Sequence, residues 1–125
     1  MVKTGIVVFA HGSSVASANE AVRSVAARMA EAGRFELVET AFLELARPDL
    51  NEAVGRLRAR GAGRIVVVPY FLTLGIHLQR DLPVRIEELR RRHPEMDIVV
   101  AEPLDGHQAL SRILLDRARA ALGRR

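Results

Sequence analysis

Histidines and glutamates follow the apolar segments of this 125-residue chain, at the points where buried strands are expected to end. His11 follows TGIVVFA, Glu44 ends FELVETAFLE, His77 comes after RIVVVPYF, and Glu102 and His107 follow DIVV. Neutral imidazole binds cobalt, nickel, iron and zinc, and a carboxylate beside it offsets charge or accepts a proton. These residue types predict metal or proton chemistry without naming one reaction, since two histidines and a glutamate also form catalytic zinc sites.

The four apolar segments have the composition of strands in a parallel sheet. TGIVVFA and RIVVVPYF are continuous runs rich in β-branched residues, as in central strands that are buried on both faces. FELVETAFLE carries more polar residues and DIVVAEP is short, so both suit edge positions. Alternation with helical segments predicts an α/β fold. We expect a single doubly wound (βα)₄ domain over residues 1–125, with a four-stranded parallel sheet in the order 2-1-3-4 under right-handed crossovers.

Each helical segment carries an apolar face, which we expect to pack on the sheet. The four faces are Val22, Val25 and Met29; Leu50, Val54 and Leu57; Leu82, Ile86 and Leu89; and Leu110, Ile113, Leu114 and Ala121. Pro48 and Pro83 lie near expected helix starts, where a missing N–H costs nothing. His77 is therefore expected in a loop that precedes the third helix.

The carboxyl ends of the strands are where an open α/β sheet binds its ligand, so His11, Glu44 and His77 are expected at one edge. Other interpretations remain for each of them. A histidine there can donate to a backbone carbonyl, Glu44 can be a surface carboxylate, and the HGSS stretch can form a phosphate-binding nest. His107 is interpreted as structural at the start of the last helix, and His93 as a cap or solvated residue at the opposite edge.

Composition excludes several classes of protein. With no cysteine, the chain forms no disulfide or thiolate metal site. With 49% hydrophobic residues and no apolar run near membrane-spanning length, we expect no membrane partner and a cytoplasmic location. The net charge is +4, but aromatic residues are only 4%, so we expect no nucleic-acid partner. Glycine-rich nucleotide motifs and a G-x-S-x-G elbow are also missing from the sequence.

An apolar wall surrounds His77 in the sequence. It consists of Tyr70, Phe71, Leu72, Leu74, Ile76 and Leu78. Gly75 permits close approach to the backbone, and Arg47 and Arg80 can pair with carboxylates. A large flat ligand with acidic edges fits these features. The residues that we assign to substrate binding are Ser13, Arg47, Tyr70, Phe71, Leu72, Gly75 and Arg80.

Four stretches carry a family resemblance that covers nearly the whole chain. VVFAHGSS, AFLELARPDLNEAV, IVVVPYFLTLGIHLQRDLP and EPLDGH resemble the short sirohydrochlorin chelatases, the CbiX/SirB group of class II tetrapyrrole chelatases. The resemblance implies a chelatase-like half-unit that inserts a divalent metal into sirohydrochlorin, with cobalt as first choice and iron or nickel as alternatives. It implies that His11 and His77 handle the metal and that Glu44 assists. No fixed cofactor is implied, because the metal is a substrate.

Insertion makes demands that this set of residues can meet. The metal sheds water, two pyrrole protons leave, and the macrocycle bends. We expect His11 and His77 to present the metal as catalytic residues, and one of them or Glu44 to accept protons. Longer members of the resembled family carry two such units, so we expect a homodimer whose interface lies around Leu72 to Leu78. Two alternatives stay open: a metal or tetrapyrrole carrier without catalysis, and a phosphatase that uses His11, although Ala10 stands where histidine phosphatases have arginine.

Overall fold

The computed structural model describes residues 2–124, in which four strands alternate with four helices. The elements are β1 (Lys3–Ala10), α1 (Ala16–Gly33), β2 (Val38–Phe42), α2 (Leu50–Ala59), β3 (Ala62–Pro69), α3 (Ile76–Arg92), β4 (Asp97–Val100) and α4 (Ala109–Leu122). The predicted α/β alternation is confirmed. Among the helices of residues 2–124, none combines the length and hydropathy that a bilayer crossing needs.

The sheet has the predicted order, β2-β1-β3-β4, and every pair of neighbouring strands is parallel. The two β-branched runs form the central strands β1 and β3, which pair from Thr4 opposite Arg64 to Phe9 opposite Pro69. β2 and β4 are the edges, as their shorter or more polar sequences predicted. All four strands therefore end at one edge, and the loops that follow them meet there.

The main core fills one face of the sheet, between the strands and helices α2 and α3. Val54 and Leu57 of α2 and Ile86 and Leu89 of α3 pack there against strand residues such as Ile65. The predicted apolar faces of these two helices are confirmed. α2 begins at a capping box, in which the Asp49 carboxylate accepts the Glu52 N–H and the Glu52 carboxylate accepts the Asp49 N–H.

The opposite face of the sheet is only partly covered. α1 shields Ile6 and Val8 of β1, which are 8% and 4% exposed. Side chains of a strand alternate between faces, so Val66, Val68 and Val99 point to this same side, where they stay half-buried.

The packing of the last helix, α4, differs from the prediction. α4 has no buried residue, and Leu114 is 70% exposed, so the expected packing of its apolar face on its own sheet is wrong. The 3.6-residue period of α4 showed that the helix is amphipathic. Periodicity does not show which surface the apolar side meets.

The start of α3 also differs from the prediction. The helix begins at Ile76 with Gly75 as its N-cap, so Pro83 lies inside the helix and His77 lies in its first turn instead of in a loop. Leu78 and Leu82 are four residues apart and continue one apolar face, and both pack on the core. Their burial outweighs the single backbone hydrogen bond that Pro83 cannot donate.

His93 ends α3 as its C-cap residue, which confirms the first of its two interpretations, a cap; the alternative, a solvated side chain, does not hold. It is only 7% exposed, and its Nε2 lies 3.0 Å from the Asn51 side-chain oxygen. Nδ1 is buried without a partner. Burial first, and the nearby Arg58 second, hold the pKa of His93 below the ordinary value of 6.5, because protonation would place an unpartnered charge in the interior.

The lowered pKa of His93 predicts how the free energy of unfolding depends on pH. The unfolded chain binds a proton at His93 near pH 6.5 while the folded chain resists it, so stability is full above pH 6.5 and falls as the pH drops through the lower folded pKa. We expect the thermal unfolding midpoint to decrease from pH 7 towards pH 5 by calorimetry, and the decrease to shrink in His93→Gln. An equal slope in both proteins would contradict the assignment. Glu36→Gln, at an exposed loop position, serves as the control.

Candidate metal-handling site at the sheet edge

His11 and Glu44 are brought together by an extension of the β1–β2 ladder beyond the strands themselves. The Leu43 N–H donates to Ala10 O at 2.9 Å, and the Glu44 N–H donates to His11 O at 3.1 Å. These bonds continue the parallel register of Ala10 opposite Phe42. The His11 Nε2 then lies 3.0 Å from the Glu44 Oε1. The predicted meeting of these two side chains at the carboxyl edge agrees with this geometry.

The pair is open to solvent. The His11 and Glu44 side chains are 61% and 56% exposed. An exposed pair of this kind contributes roughly 0–1 kcal/mol to stability, since water competes for both groups. The pair instead fixes the orientation of the imidazole. A neutral imidazole protonated at Nε2 donates a hydrogen bond to the carboxylate and is held facing it. A dissolved ion or ligand can reach both groups without any opening of the fold.

Gly12 allows the two loops to cross. Its φ is +92°, a backbone conformation that glycine adopts without strain. A Cβ at this position would lie 1.8 Å from the Glu44 carbonyl oxygen. No larger residue fits between His11 and the opposing loop. On that loop, Leu45 follows Glu44 with φ +65° and is 66% exposed, an unusual combination for a leucine.

Asn19 fixes the loop that carries His11. Its side-chain oxygen accepts the Ser13 N–H at 2.9 Å, and its Nδ2 donates to Ser13 O at 2.8 Å. The Ser13 hydroxyl in turn accepts the Val15 N–H at 3.0 Å. Ser13 was predicted to bind substrate; in the structure both its backbone and its hydroxyl shape the loop. Asn19 was not predicted to take part in the site, although an asparagine on the same helical side as Val22 and Ala26 is a signal for a buried polar role.

His77 lies in the first turn of α3 with its side chain exposed. Arg80 follows three residues later, so the two share one side of the helix and both face solvent. Within residues 2–124, no group of three or more histidine, aspartate or glutamate side chains is placed to hold a metal ion. The structure thus joins His11 to Glu44, and a shared metal role for His11 and His77 stays a prediction.

The predicted apolar wall separates into anchored and exposed residues. Phe71, Leu74 and Leu78 are partly buried and pack on the main core. The Phe71 ring meets the Phe9 ring edge to face, with centroids 5.9 Å apart. These residues attach the 70–78 segment to the sheet, so their first role is structural.

The exposed part of the wall consists of Tyr70, Leu72 and Ile76, which are 36%, 70% and 64% exposed. Gly75 lies between them with open space on its Cβ side, and its φ of −63° suits any residue. The fold therefore does not require glycine there. Exposed apolar side chains next to open backbone form a surface that a flat ligand can cover.

Arg47, like Arg80, was predicted to pair with carboxylates of the ligand, but its side chain already pairs with a carboxylate of this chain. Its guanidinium bonds the Glu52 carboxylate at the start of α2, which lowers the pKa of Glu52 and raises that of Arg47. The Arg47 side chain is 80% exposed, so other guanidinium N–H groups face solvent. His107 has the structural role expected of it, since its Nδ1 accepts the Ala109 N–H at 3.0 Å at the start of α4.

An imidazole–carboxylate pair lies at the carboxyl edge of a four-stranded parallel sheet, beside an apolar segment, which is where open α/β proteins bind their ligands. The fold and the site therefore place the chain among the α/β proteins with an open edge site. Residues 5–121 match the CbiX family, and the chain belongs to it. The family resemblance seen in the sequence is confirmed.

Two of the relatives match the chain in length, and the solved structures match its fold. The chain is 33% identical over 142 residues to the sirohydrochlorin cobaltochelatase of Methanopyrus kandleri, covering 94% of this chain and 96% of that protein. It is similar to the solved CbiX protein of Marinobacter aquaeolei VT8, with TM-score 0.87 and 34% identity over 98% and 99% of the two chains. The sirohydrochlorin chelatase SirB from Bacillus subtilis subspecies spizizenii, in complex with cobalt, gives TM-score 0.83 and 25% identity, covering 95% of this chain and 51% of SirB.

Asn19 generates a prediction about the site loop. Asn19→Ala leaves the N–H and C=O of the half-buried Ser13 without their partners, and we take the combined cost as about 1–3 kcal/mol because water can reach a half-buried group in part. We expect urea unfolding to show a loss in that range. Ser14→Ala, at an exposed position of the same loop, is the control and should change stability by less than about 0.5 kcal/mol. Equal stability of the two variants would show that the clamp does not hold the loop.

Proposed function

We propose that this chain inserts a divalent metal ion into sirohydrochlorin. The observation that carries the proposal is the His11–Glu44 pair, held at 3.0 Å on an exposed sheet edge in a member of the CbiX family. Relatives of matching length are named sirohydrochlorin cobaltochelatases, which supports the same reaction here. The pair supplies the two chemical functions that insertion needs, a neutral nitrogen ligand and a carboxylate.

His11 is the proposed first ligand of the incoming metal. Its Nε2 is the atom that faces Glu44. A metal at Nε2 would take the place of the Nε2 proton, which otherwise forms the hydrogen bond to the Glu44 carboxylate. Glu44 then lies beside the ion, where it compensates charge or takes a proton. Exchange of one divalent ion for two pyrrole protons leaves charge balanced, so the site must remove protons as well as deliver metal. His77, exposed on α3, is the proposed second metal-handling residue.

The macrocycle is proposed to lie on the exposed wall. Tyr70, Leu72 and Ile76 provide its apolar surface, and Leu45 extends that surface on the Glu44 side. Covering apolar surface gains roughly 25 cal/mol per Å². Gly75 adds open backbone that a flat ring can approach. Phe71 is proposed to support this surface from below through its contact with Phe9.

Cobalt is the proposed metal substrate. The named relatives are cobaltochelatases, and the SirB structure holds cobalt. Imidazole and carboxylate also accept iron and nickel, and affinity order alone does not select among them. Cobalamin synthesis is the corresponding biosynthetic route for a cobalt-loaded product, while iron would serve siroheme. No fixed cofactor is required, since the metal enters as substrate and leaves in the product.

We further propose that residues 1–125 act as one half-unit in a homodimer. The chain spans 51% of the SirB chain that it matches, so a single copy provides one wall where the longer protein has room for two. The exposed Leu72 and Ile76 lie at the edge where a second copy would complete the crevice. In a two-fold dimer both copies contribute the same surface, so the assembly is complete with two copies.

The reaction can be tested by anaerobic absorbance with sirohydrochlorin and Co²⁺, against spontaneous metallation. We expect His11→Ala to lose roughly 100-fold or more in rate, as positioned acid–base groups commonly contribute that much. Glu44→Gln should lower the rate more than ring binding. Glu36→Gln is the matched control, because Glu36 is an exposed glutamate before β2, away from the carboxyl edge.

Two outcomes of this assay would count against the proposal. A wild-type rate no faster than the spontaneous one, with the macrocycle still bound, would indicate a carrier. Full activity in both His11→Ala and Glu44→Gln would remove the pair from the mechanism. Circular dichroism of each variant separates loss of activity from loss of fold.

Salt provides a second test, directed at the arginines. Arg80 is an exposed cation near His77 and is proposed to attract substrate carboxylates, and such attraction is screened over a Debye length of about 8 Å at physiological ionic strength. We expect KM to rise with salt in wild type and to depend less on salt in Arg80→Gln. Arg47→Gln should change KM less, because Glu52 already pairs with Arg47. Arg28→Gln, on α1, is the control, and an unchanged salt slope in Arg80→Gln would refute the role.

A further inference from the structure

Leu45 has a backbone conformation that leucine rarely adopts. Its φ is +65°, in the left-handed region, where a Cβ lies close to the following carbonyl oxygen and raises the free energy of the folded chain. Asparagine, aspartate and glycine are the residues usually found there. The Leu45 side chain is 66% exposed, so its own burial offsets little of this cost. Residues held in such conformations cluster at active sites and ligand contacts.

Hydrogen bonds on both sides of Leu45 fix the loop that carries it, residues 43–48, which we call the Glu44 loop. Before Leu45, the Glu44 N–H donates to His11 O at 3.1 Å. After it, Pro48 O accepts the Phe42 N–H at 2.9 Å, which closes the loop at its base. Relaxing Leu45 into an ordinary conformation would disturb these bonds, so its surroundings determine its backbone.

Arg23 of α1 attaches to the Glu44 loop from the side. One of its guanidinium nitrogens donates to Arg47 O at 3.4 Å, and the guanidinium carbon lies 5.3 Å from the centroid of the Phe42 ring. Another guanidinium nitrogen pairs with the Glu20 carboxylate at 3.1 Å. Arg23 therefore contacts the chain before and after Leu45, and a rigid helix supports the contact.

The strand order places the Glu44 loop and the exposed apolar wall on opposite sides of His11. β1, which ends next to His11, lies between β2 and β3. The Glu44 loop follows β2, and the segment with the exposed Leu72 follows β3. A flat ring over His11 thus has exposed apolar side chains on both sides, Leu45 on one and the wall on the other.

We propose that Leu45 holds the macrocycle from the side opposite to the wall, and that Arg23 is the positioning residue that keeps Leu45 in place for this contact. The inference rests on the proposed function, because it assigns contacts of the same ring. Covering the Leu45 side chain contributes to ring binding. Contact from two sides also fixes where the pyrrole nitrogens lie relative to His11 and Glu44.

The proposal predicts effects of opposite sign from one substitution. Asparagine accepts the left-handed conformation more readily than leucine, so we expect Leu45→Asn to raise the urea midpoint of unfolding. The same change removes the apolar contact. We expect the Kd for metal-free sirohydrochlorin, titrated anaerobically by absorbance, to rise about 5-fold or more.

Two control variants accompany this substitution. Leu45→Met keeps an apolar side chain and a Cβ, so it should match wild type in both the urea midpoint and the Kd. Val2→Asn replaces an exposed apolar residue just before β1, at the opposite edge of the sheet, and should leave the Kd unchanged.

Arg23 is tested by a double-mutant cycle on the same Kd. Arg23→Gln should raise the Kd, and Leu45→Asn added to it should raise the Kd little further, because Leu45 is no longer held in place. If Arg23 instead attracted a substrate carboxylate directly, the two effects would be additive. Arg28→Gln, at an exposed position further along α1, is the control and should leave the Kd unchanged.

Three results would overturn the inference: an unchanged Kd in Leu45→Asn, a lowered urea midpoint in the same variant, or additive effects in the cycle. If wild type inserts metal while Leu45→Asn binds the ring as tightly as wild type, this inference fails and the proposed function stands. Wild-type protein that does not bind sirohydrochlorin would remove both.

Discussion

The parallel pairing of β1 with β2 continues one step past the end of each strand, and the site depends on that continuation. Two backbone hydrogen bonds beyond the strands place the His11 and Glu44 side chains next to each other at 3.0 Å. The crossing is possible because residue 12 is a glycine with φ +92°. The buried Asn19 then holds the following loop by two hydrogen bonds. The backbone thus positions the site, and no charged group of the pair has to be buried.

The two faces of the sheet differ, and the difference links fold to function. α2 and α3 enclose a complete core on one face, which lets a 125-residue chain remain stable with an exposed site. The other face has α1 but leaves a groove, while α4 stays without buried residues. An insertion reaction on a large ring requires contact from more than one side. The proposed pairing of two copies would complete the crevice.

Sequence patterns were sufficient for strand order and for placing His11 and Glu44 at the same edge of the sheet, because β-branched runs identify central strands and parallel strands end at one edge. They did not predict the hydrogen bond between these two side chains. They failed where a distant contact decides the outcome. His93 is buried against Asn51, which lies 42 positions away. α3 begins before Pro83 because Leu78 reaches the core. The apolar wall was identified as one surface, although only tertiary packing shows that Phe71 is anchored and Leu72 is free. For α4, the period was correct and the packing partner was not determined by it.

His11 is proposed to deliver the metal, with Glu44 beside it. The most direct measurement is a crystal structure with bound Co²⁺, in which anomalous scattering at the cobalt edge locates the ion. We expect a cobalt peak about 2.1 Å from His11 Nε2, the distance usual for imidazole on a first-row divalent metal, with a Glu44 oxygen in or next to the coordination sphere. Cobalt bound elsewhere in the chain, with His11 and Glu44 still paired to each other, would contradict it.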